Sequence, residues 1–295
     1  MPKQLTIVVT CTDRKALSRA PRHEVRHLPD VALEVRARMW VDLVSAATDT
    51  RPLARLYQGE AWHQVSKLEA EVAAKGFVPR TLVASAGLGL RSVQSEAPAY
   101  SATFALGHLD SVGLDRSQNQ MWWERIRSSR LADDLDDPFA GPTLLVLSET
   151  YASAMARELE SLEAREDVLV FGGMSGLLEE QRFPSDLGLR SALGGTAISL
   201  NLRMATMWLQ RQTTVKFDAE RNRTEWDAWA ESVRKSTVYN RQPVDDAAVA
   251  AWIRMVRESR PDLSKTVALR MLRDSGVACE QRRFGALFSA VTGKP

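Results

Sequence analysis

The chain has 295 residues, 44% of them hydrophobic, and a formal net charge of +2. That allows a sizeable core with room for a second small domain, and it is too near neutrality for whole-chain charge to mark a nucleic-acid-binding protein. Two cysteines, Cys11 and Cys279, exclude a disulfide framework and point to a reducing compartment.

The opening MPKQLTIVVT holds too short an apolar run for a signal peptide before Asp13, Arg14 and Lys15. No apolar run approaches the roughly 20 residues needed to span a bilayer, so a soluble cytoplasmic protein with no membrane partner is expected. Leu5 to Thr10, rich in β-branched residues, predicts a buried first strand. It ends at Cys11-Thr12-Asp13-Arg14-Lys15, a charged cluster where α/β proteins place ligand groups. Lys15 or Arg14 can hold a phosphate and Asp13 can serve as base or acceptor; the alternative is a solvated turn. With no histidine paired to it locally, Cys11 reads as a packed side chain rather than a nucleophile. His23 and His27 have the i,i+4 spacing of one half of a metal site but lack a third ligand, so no metal or other cofactor is expected.

Val31 to Val44 predicts a helix, with Val31, Val35, Met39 and Leu43 at near four-residue intervals. In LYQGEAW, 56–62, Gly59 breaks the chain before a helix that runs to about Lys75. Tyr57 and Trp62 there can sandwich a planar ligand, with Glu60 at its polar edge, or can simply pack. Thr81 to Ala84 predicts a strand that breaks into Ser85-Ala86-Gly87-Leu88-Gly89-Leu90, whose small residues let backbone approach a ligand. A polar loop with Arg91, Glu96, Pro98 and Tyr100 follows. A ligand loop and an ordinary βα turn are both compatible with this stretch. Asp110 supplies a further carboxylate.

Gln118 to Ser128 predicts a helix with Trp122 and Trp123 adjacent, Thr143 to Leu147 a strand, Tyr151 to Leu162 a helix, and Asp167 to Phe171 a strand. That last strand ends in Gly172-Gly173-Met174-Ser175-Gly176, which permits close backbone approach but is not the phosphate-binding GxxxxGK[ST] motif. Gly194-Gly195-Thr196 leads into a helix over Ala197 to Gln210. This alternation predicts an α/β fold with a mostly parallel sheet covered by helices. No dinucleotide fingerprint follows a strand.

After a short possible strand to Phe217 the pattern is helical, over Glu225 to Lys235, Val244 to Glu258, Ser264 to Asp274 and Cys279 to Val291. The last two are joined by a short glycine-containing turn, as in helix-turn-helix units. Residues 250–295 carry nine Lys or Arg, including Arg270, Arg273, Arg282, Arg283 and Lys294, against four acids, a local balance of +5 that leaves the rest near −3. The expected division is an α/β domain over 1–218 and a small basic helical domain over 219–295, the latter a DNA grip or a bundle with a solvated charged face.

Taken in order, VVTCTDRK (8–15), LYQGEAW (56–62), SAGLGL (85–90) and PAYSATF (98–104) resemble strings of YaaA-like and DUF6884-type α/β proteins over roughly residues 5–112. The chain departs from them at Thr12-Asp13, where many relatives have glycine and lysine. The resemblance implies nucleic-acid metabolism, phage defence and a distant likeness to glycosylases and base-exchanging transferases, hence chemistry at an N-glycosidic bond. On that basis the leading expectation is a monofunctional DNA glycosylase, a hydrolase acting on an unusual or modified base. Tyr57, Trp62, Ser85, Gly87 and Tyr100 would form the pocket for an extruded base. Asp110, Asp13 or Glu60 would be the catalytic carboxylate. Lys15, Arg91, Arg270, Arg273, Arg282 and Arg283 would contact phosphates. No obligate protein partner is implied. The alternatives are a free-nucleotide N-glycosidase or base transferase, and a non-enzymatic DNA-binding adaptor.

Overall fold

The computed structural model describes residues 3–235 and 242–293, so Lys294 lies outside the described residues. The chain divides after Lys235 into a larger and a smaller unit.

The larger unit is built on one six-stranded sheet. Its strands are β1 (Gln4–Thr10), β2 (Val78–Ser85), β3 (Gly89–Ser92), β4 (Thr143–Leu147), β5 (Val168–Gly172) and β6 (Arg182–Phe183), in spatial order β3-β2-β1-β4-β5-β6. All neighbours are parallel except β2 and β3. Leu5, Ile7, Val8 and Val9 are fully buried, and every residue of β4 and β5 is buried. Continuous apolar runs of this kind belong to strands covered on both faces.

Besides shorter helical segments, its helices include α1 (Leu33–Ser45), α2 (Glu60–Ala74), α3 (Arg116–Arg127), α4 (Glu149–Ala154), α5 (Leu200–Arg211) and α6 (Ala219–Val233). In one layer α1 packs on α3 and α3 on α4; in another α2 packs on α5. Connectivity makes this geometry functional. From β1 the chain crosses to β2 on one side, then passes back over β1 to β4 and onward to β5. Right-handed crossovers in opposite directions put their helices on opposite faces. The loops leaving β1 and β4 therefore diverge, and the crevice between their carboxyl ends is where open α/β sheets bind ligands.

Several expectations change. Gly89 to Ser92, read as the end of a small-residue break and the start of a polar loop, is the antiparallel strand β3, in register from Ser85↔Gly89 to Leu82↔Ser92. The segment 213–217 forms no strand, and the helix expected over Tyr151 to Leu162 is interrupted at Met155 (φ −91°, ψ 10°). Helix α6 begins before residue 225 because Asp218 caps it, accepting from the Arg221 N–H. It belongs to the larger unit: Trp226 is buried against Phe171 and Phe183, with ring centroids 6.3 and 5.8 Å away. The boundary thus falls after Lys235 and not after residue 218.

The smaller unit contains α7 (Asp246–Ser259), α8 (Lys265–Asp274) and α9 (Gln281–Thr292). They enclose their own core of Val249, Ile253, Leu272, Phe284 and Phe288. The turn between α8 and α9 includes a two-residue strand, Val277–Ala278, paired in parallel with Gln242–Pro243. Among the described residues no helix is long and apolar enough to cross a membrane.

Candidate functional site

At the β1/β4 crevice the half-buried Cys11 lies at the end of β1, and its Sγ is 3.0 Å from the Tyr151 hydroxyl on α4. This contact spans the switch point. Four residues on, Lys15 pairs backbone with Tyr57 and donates from Nζ to the carbonyls of Thr12 (3.0 Å) and Asp13 (3.3 Å). The same ammonium sits 4.1 Å from the ring centroid of Tyr100, a cation–π contact. Burial holds the Lys15 pKa below the usual lysine value, against the opposing pull of Cys11 and Asp13. Carbonyl oxygens and an aromatic face carry no formal charge, so they leave the ammonium's charge uncancelled.

Beneath it runs a line of hydroxyls. Tyr57 Oη is 2.5 Å from Tyr100 Oη, which is 2.5 Å from Ser85 Oγ, and the Gly87 N–H donates to that oxygen (3.1 Å). Burial pushes the phenols of Tyr57, Tyr100 and Tyr151 well above the ordinary tyrosine value, so all three are neutral at physiological pH. Two indoles hold the chain just beyond β2: Trp122 Nε1 donates to the Ala86 carbonyl (2.7 Å) and Trp40 Nε1 to that of Gly87 (2.8 Å).

Five residues expected near a ligand, Lys15, Tyr57, Ser85, Gly87 and Tyr100, do come together. The aromatic ones are not an open slot. Tyr57 and Tyr100 are buried, and Tyr57 packs on Trp62 with centroids 4.9 Å apart while Trp62 Nε1 bonds the Ala54 carbonyl (3.1 Å). A base cannot enter between rings already in contact. Gly87 has a steric reason of its own: a Cβ there would lie 2.5 Å from the Tyr100 ring. Gly87→Ala is therefore expected to displace Tyr100 and to destabilise the fold by about 1–3 kcal/mol, the usual range for overpacking. Chemical denaturation checks this, and wild-type stability would show that the ring gives way freely. Gly172, at φ 90°, likewise makes room for Asn201, whose Nδ2 donates to the Leu147 carbonyl (3.0 Å). That seat accounts for this glycine without a ligand.

The three carboxylates are dispersed. Asp110 is buried and fully engaged: Arg26 Nε (2.9 Å) and backbone N–H (3.2 Å) donate to Oδ1, while Arg26 Nη2 and the Ser101 hydroxyl (2.8 Å) donate to Oδ2. Burial alone raises its pKa, but the Arg26 and Ser101 hydrogen bonds overcome this and hold it below the usual aspartate value. Glu60, in the first turn of α2, bonds Arg203 (2.6 Å). Asp13 is exposed and bonds Arg19 (2.6 Å), a solvent-facing pair that costs little to break. Arg91 is held by Asp133 (3.2 Å), which also accepts from Ser92 N (2.7 Å) and Ser95 Oγ (2.6 Å). Its guanidinium braces the β2–β3 hairpin. His27 Nδ1 lies 2.7 Å from the Pro21 carbonyl, and among the described residues no group of three His, Cys, Asp or Glu side chains is arranged to hold a metal ion.

In the smaller unit a groove of about 960 Å³ runs between α8 and α9, lined by Lys265, Arg270, Arg273 and Arg282 as well as Asp274 and Glu280. Lys265, Arg270 and Arg282 are exposed. Arg273 instead bonds the Cys279 carbonyl (2.8 Å), and Arg283 bonds Asp246 (2.6 Å) and the Val244 carbonyl (2.7 Å), so these two also brace the unit. Elsewhere, a groove of about 1020 Å³ between α1 and α3 is lined by charges of both signs, Arg130 bonding Asp42 there (2.6 Å), and shares no residue with the crevice cluster.

Tyr151, Trp40 and Trp122 were not expected at the site from the sequence. Tyr151 had a detectable signal, a polar run directly after a buried strand. The indoles had none, since their partners are backbone carbonyls distant in sequence. No protein-family model matches the chain, and neither a curated protein nor a solved structure matches it.

Proposed function

We propose that the chain is a DNA N-glycosylase that hydrolyses the bond between deoxyribose and an unusual or modified base, with the β1/β4 crevice as the base site. The observation that carries this reading is Lys15: a half-buried cation at the switch point, seated on Tyr100 and met by carbonyls, not by a carboxylate. Breaking the C1′–N bond leaves its electron pair on the base. A lysine ammonium with a lowered pKa can donate a proton to that departing base. Water then adds at C1′ and releases a proton, which restores the balance. Of the three carboxylates Asp13 is the one with freedom to meet the positive charge growing on the sugar, because its side chain is exposed and its ion pair with Arg19 faces solvent.

The test is mass spectrometry of small molecules released from DNAs carrying diverse modified and unmodified bases. Free base appearing only with active protein is the expected result; intact DNA throughout would overturn the reading. The crevice cluster is complete within residues 11–151, which favours a second reading, a free-nucleotide N-glycosidase or base transferase. Turnover of free nucleotide unaffected by added DNA would select it, and tight DNA binding with unchanged base content would select an adaptor.

The α8–α9 groove supplies backbone affinity in this proposal. Replacing Lys265, Arg270 and Arg282 together by Gln is expected to weaken duplex binding and to lower the slope of log K against log salt by about 2–3, near 0.9 for each phosphate that is no longer neutralised. These three replace the four-arginine set suggested by charge alone, because Arg273 and Arg283 also hold the fold. Unchanged binding by the folded variant would remove the groove from the interface.

A further inference from the structure

We infer that the loop Phe104 to Ser111 is a rigid apolar wedge that enters the DNA base stack and fills the place of an extruded base; this rests on the DNA-glycosylase reading above. The loop carries Leu106, 53% exposed, and Leu109, 74% exposed. Single exposed leucines are ordinary. These two stand on a loop whose ends and return limb are tied down by hydrogen bonds. Its ends are closed by Thr103 N–H to the Asp110 carbonyl (2.9 Å) and Val112 N–H to the Thr103 carbonyl (3.0 Å). Within it, Ser111 N–H reaches the His108 carbonyl (3.0 Å) and Asp110 N–H reaches His108 Nδ1 (3.0 Å). Asp110 anchors it to Arg26 and Ser101, and Asn119 Nδ2 holds the Phe104 carbonyl (3.0 Å). A loose loop would fold its leucines onto the protein surface, and this one presents them to solvent.

Position supplies the second argument. The root residue Phe104 packs edge-on against Tyr151, centroids 5.0 Å apart, and Tyr151 is the residue that reaches Cys11 across the crevice. The root of the loop that carries the leucines therefore adjoins the proposed base site. Extrusion leaves a gap in the stack, and apolar side chains inserted between base steps hold such gaps open in kinked duplexes. A single strand has no stack to open, so the wedge matters only for paired DNA.

The experiment compares full-length wild type with the double variant Leu106→Ser, Leu109→Ser on one sequence presented as duplex and as single strand. The wedge predicts that base release from duplex falls by about tenfold, that release from the single strand is unchanged, and that the unfolding midpoint is retained. Unchanged duplex release, or equal loss on both substrates, would overturn it. A second readout is independent of chemistry: 2-aminopurine placed in a duplex should brighten on stoichiometric binding of wild type and stay quenched with the variant. Brightening with both proteins, or with neither, would overturn the wedge. If no DNA yields free base, the glycosylase reading fails while the fluorescence still decides the wedge. Loss of a concentration-dependent self-association in the variant, with fluorescence unchanged, would assign the leucines to a contact between copies and overturn the proposal.

Discussion

Replacing Lys15 by Met is expected to slow single-turnover base release by about a hundredfold or more, the lower end of what a positioned proton donor contributes, with little change in fold or DNA affinity. Methionine keeps an unbranched stem and removes the ammonium, with its contact to the Tyr100 ring and its bonds to the Thr12 and Asp13 carbonyls. That ammonium meets the departing base most strongly when negative charge has developed on it, so its loss should fall on the chemical step more than on binding. Lys15→Arg separates charge from proton transfer. Guanidinium retains the cation but cannot give up a proton in this pH range, so this variant should bind as wild type and remain slow. The pH profile supplies a check that a merely structural lysine would not pass. Burial lowers the Lys15 pKa, so the donor form is lost as pH rises through a value below the roughly 10.4 of an ordinary lysine. Wild-type release should therefore decline on the alkaline side earlier than an exposed lysine would dictate, and Lys15→Arg should lack that limb. Wild-type rates in both folded variants would remove Lys15 from the chemistry.

What could be read in advance follows from the range of the interactions. Strands β1, β4 and β5 were legible because both their faces are covered, which leaves continuous apolar runs bounded by polar residues. The polar cluster after β1 was legible for the same reason, as a charged string directly after a buried strand. The hairpin at Ser85 to Ser92 was not, because small residues between apolar ones fit a ligand loop and a tight reversal equally well. Tyr57 and Tyr100 were expected to line a pocket and do lie beside Lys15, but their burial was not visible. Whether an aromatic ring faces a cavity or its neighbour depends on packing by Trp40, Trp62 and Lys15 from distant segments. Asp110 shows the limit most clearly. A carboxylate beside a chain break looks available for chemistry, and only the fold reveals Arg26, 84 positions earlier, closing over it.

That clip carries the second large effect. Asp110→Asn is expected to lower unfolding free energy at pH 7 by about 2–3 kcal/mol, the range for removing a buried charged acceptor from its donors. Asparagine keeps the size but presents an N–H₂ where Arg26 or Ser101 must donate, so at least one hydrogen bond is lost along with the charge. The full cost of breaking a wholly buried pair is not expected, since Arg26 is about one-third exposed and water can take up its freed guanidinium. The dependence on pH has a definite sign. The Arg26 and Ser101 hydrogen bonds hold the folded Asp110 pKa below its unfolded value near 3.9, despite burial. The stabilisation is therefore complete above that unfolded value and is lost as pH falls through the depressed folded one. The gap between wild type and Asp110→Asn should be constant from neutral pH to about 5 and should narrow below about 4, as wild type itself protonates. Urea unfolding across that range measures it. A double-mutant cycle with Arg26→Met should give a favourable coupling at pH 7, because each single change already breaks the pair. If Asp110→Asn instead matched wild-type stability while losing base release, Asp110 would return as the catalytic carboxylate and the Arg26 clip would be incidental to folding.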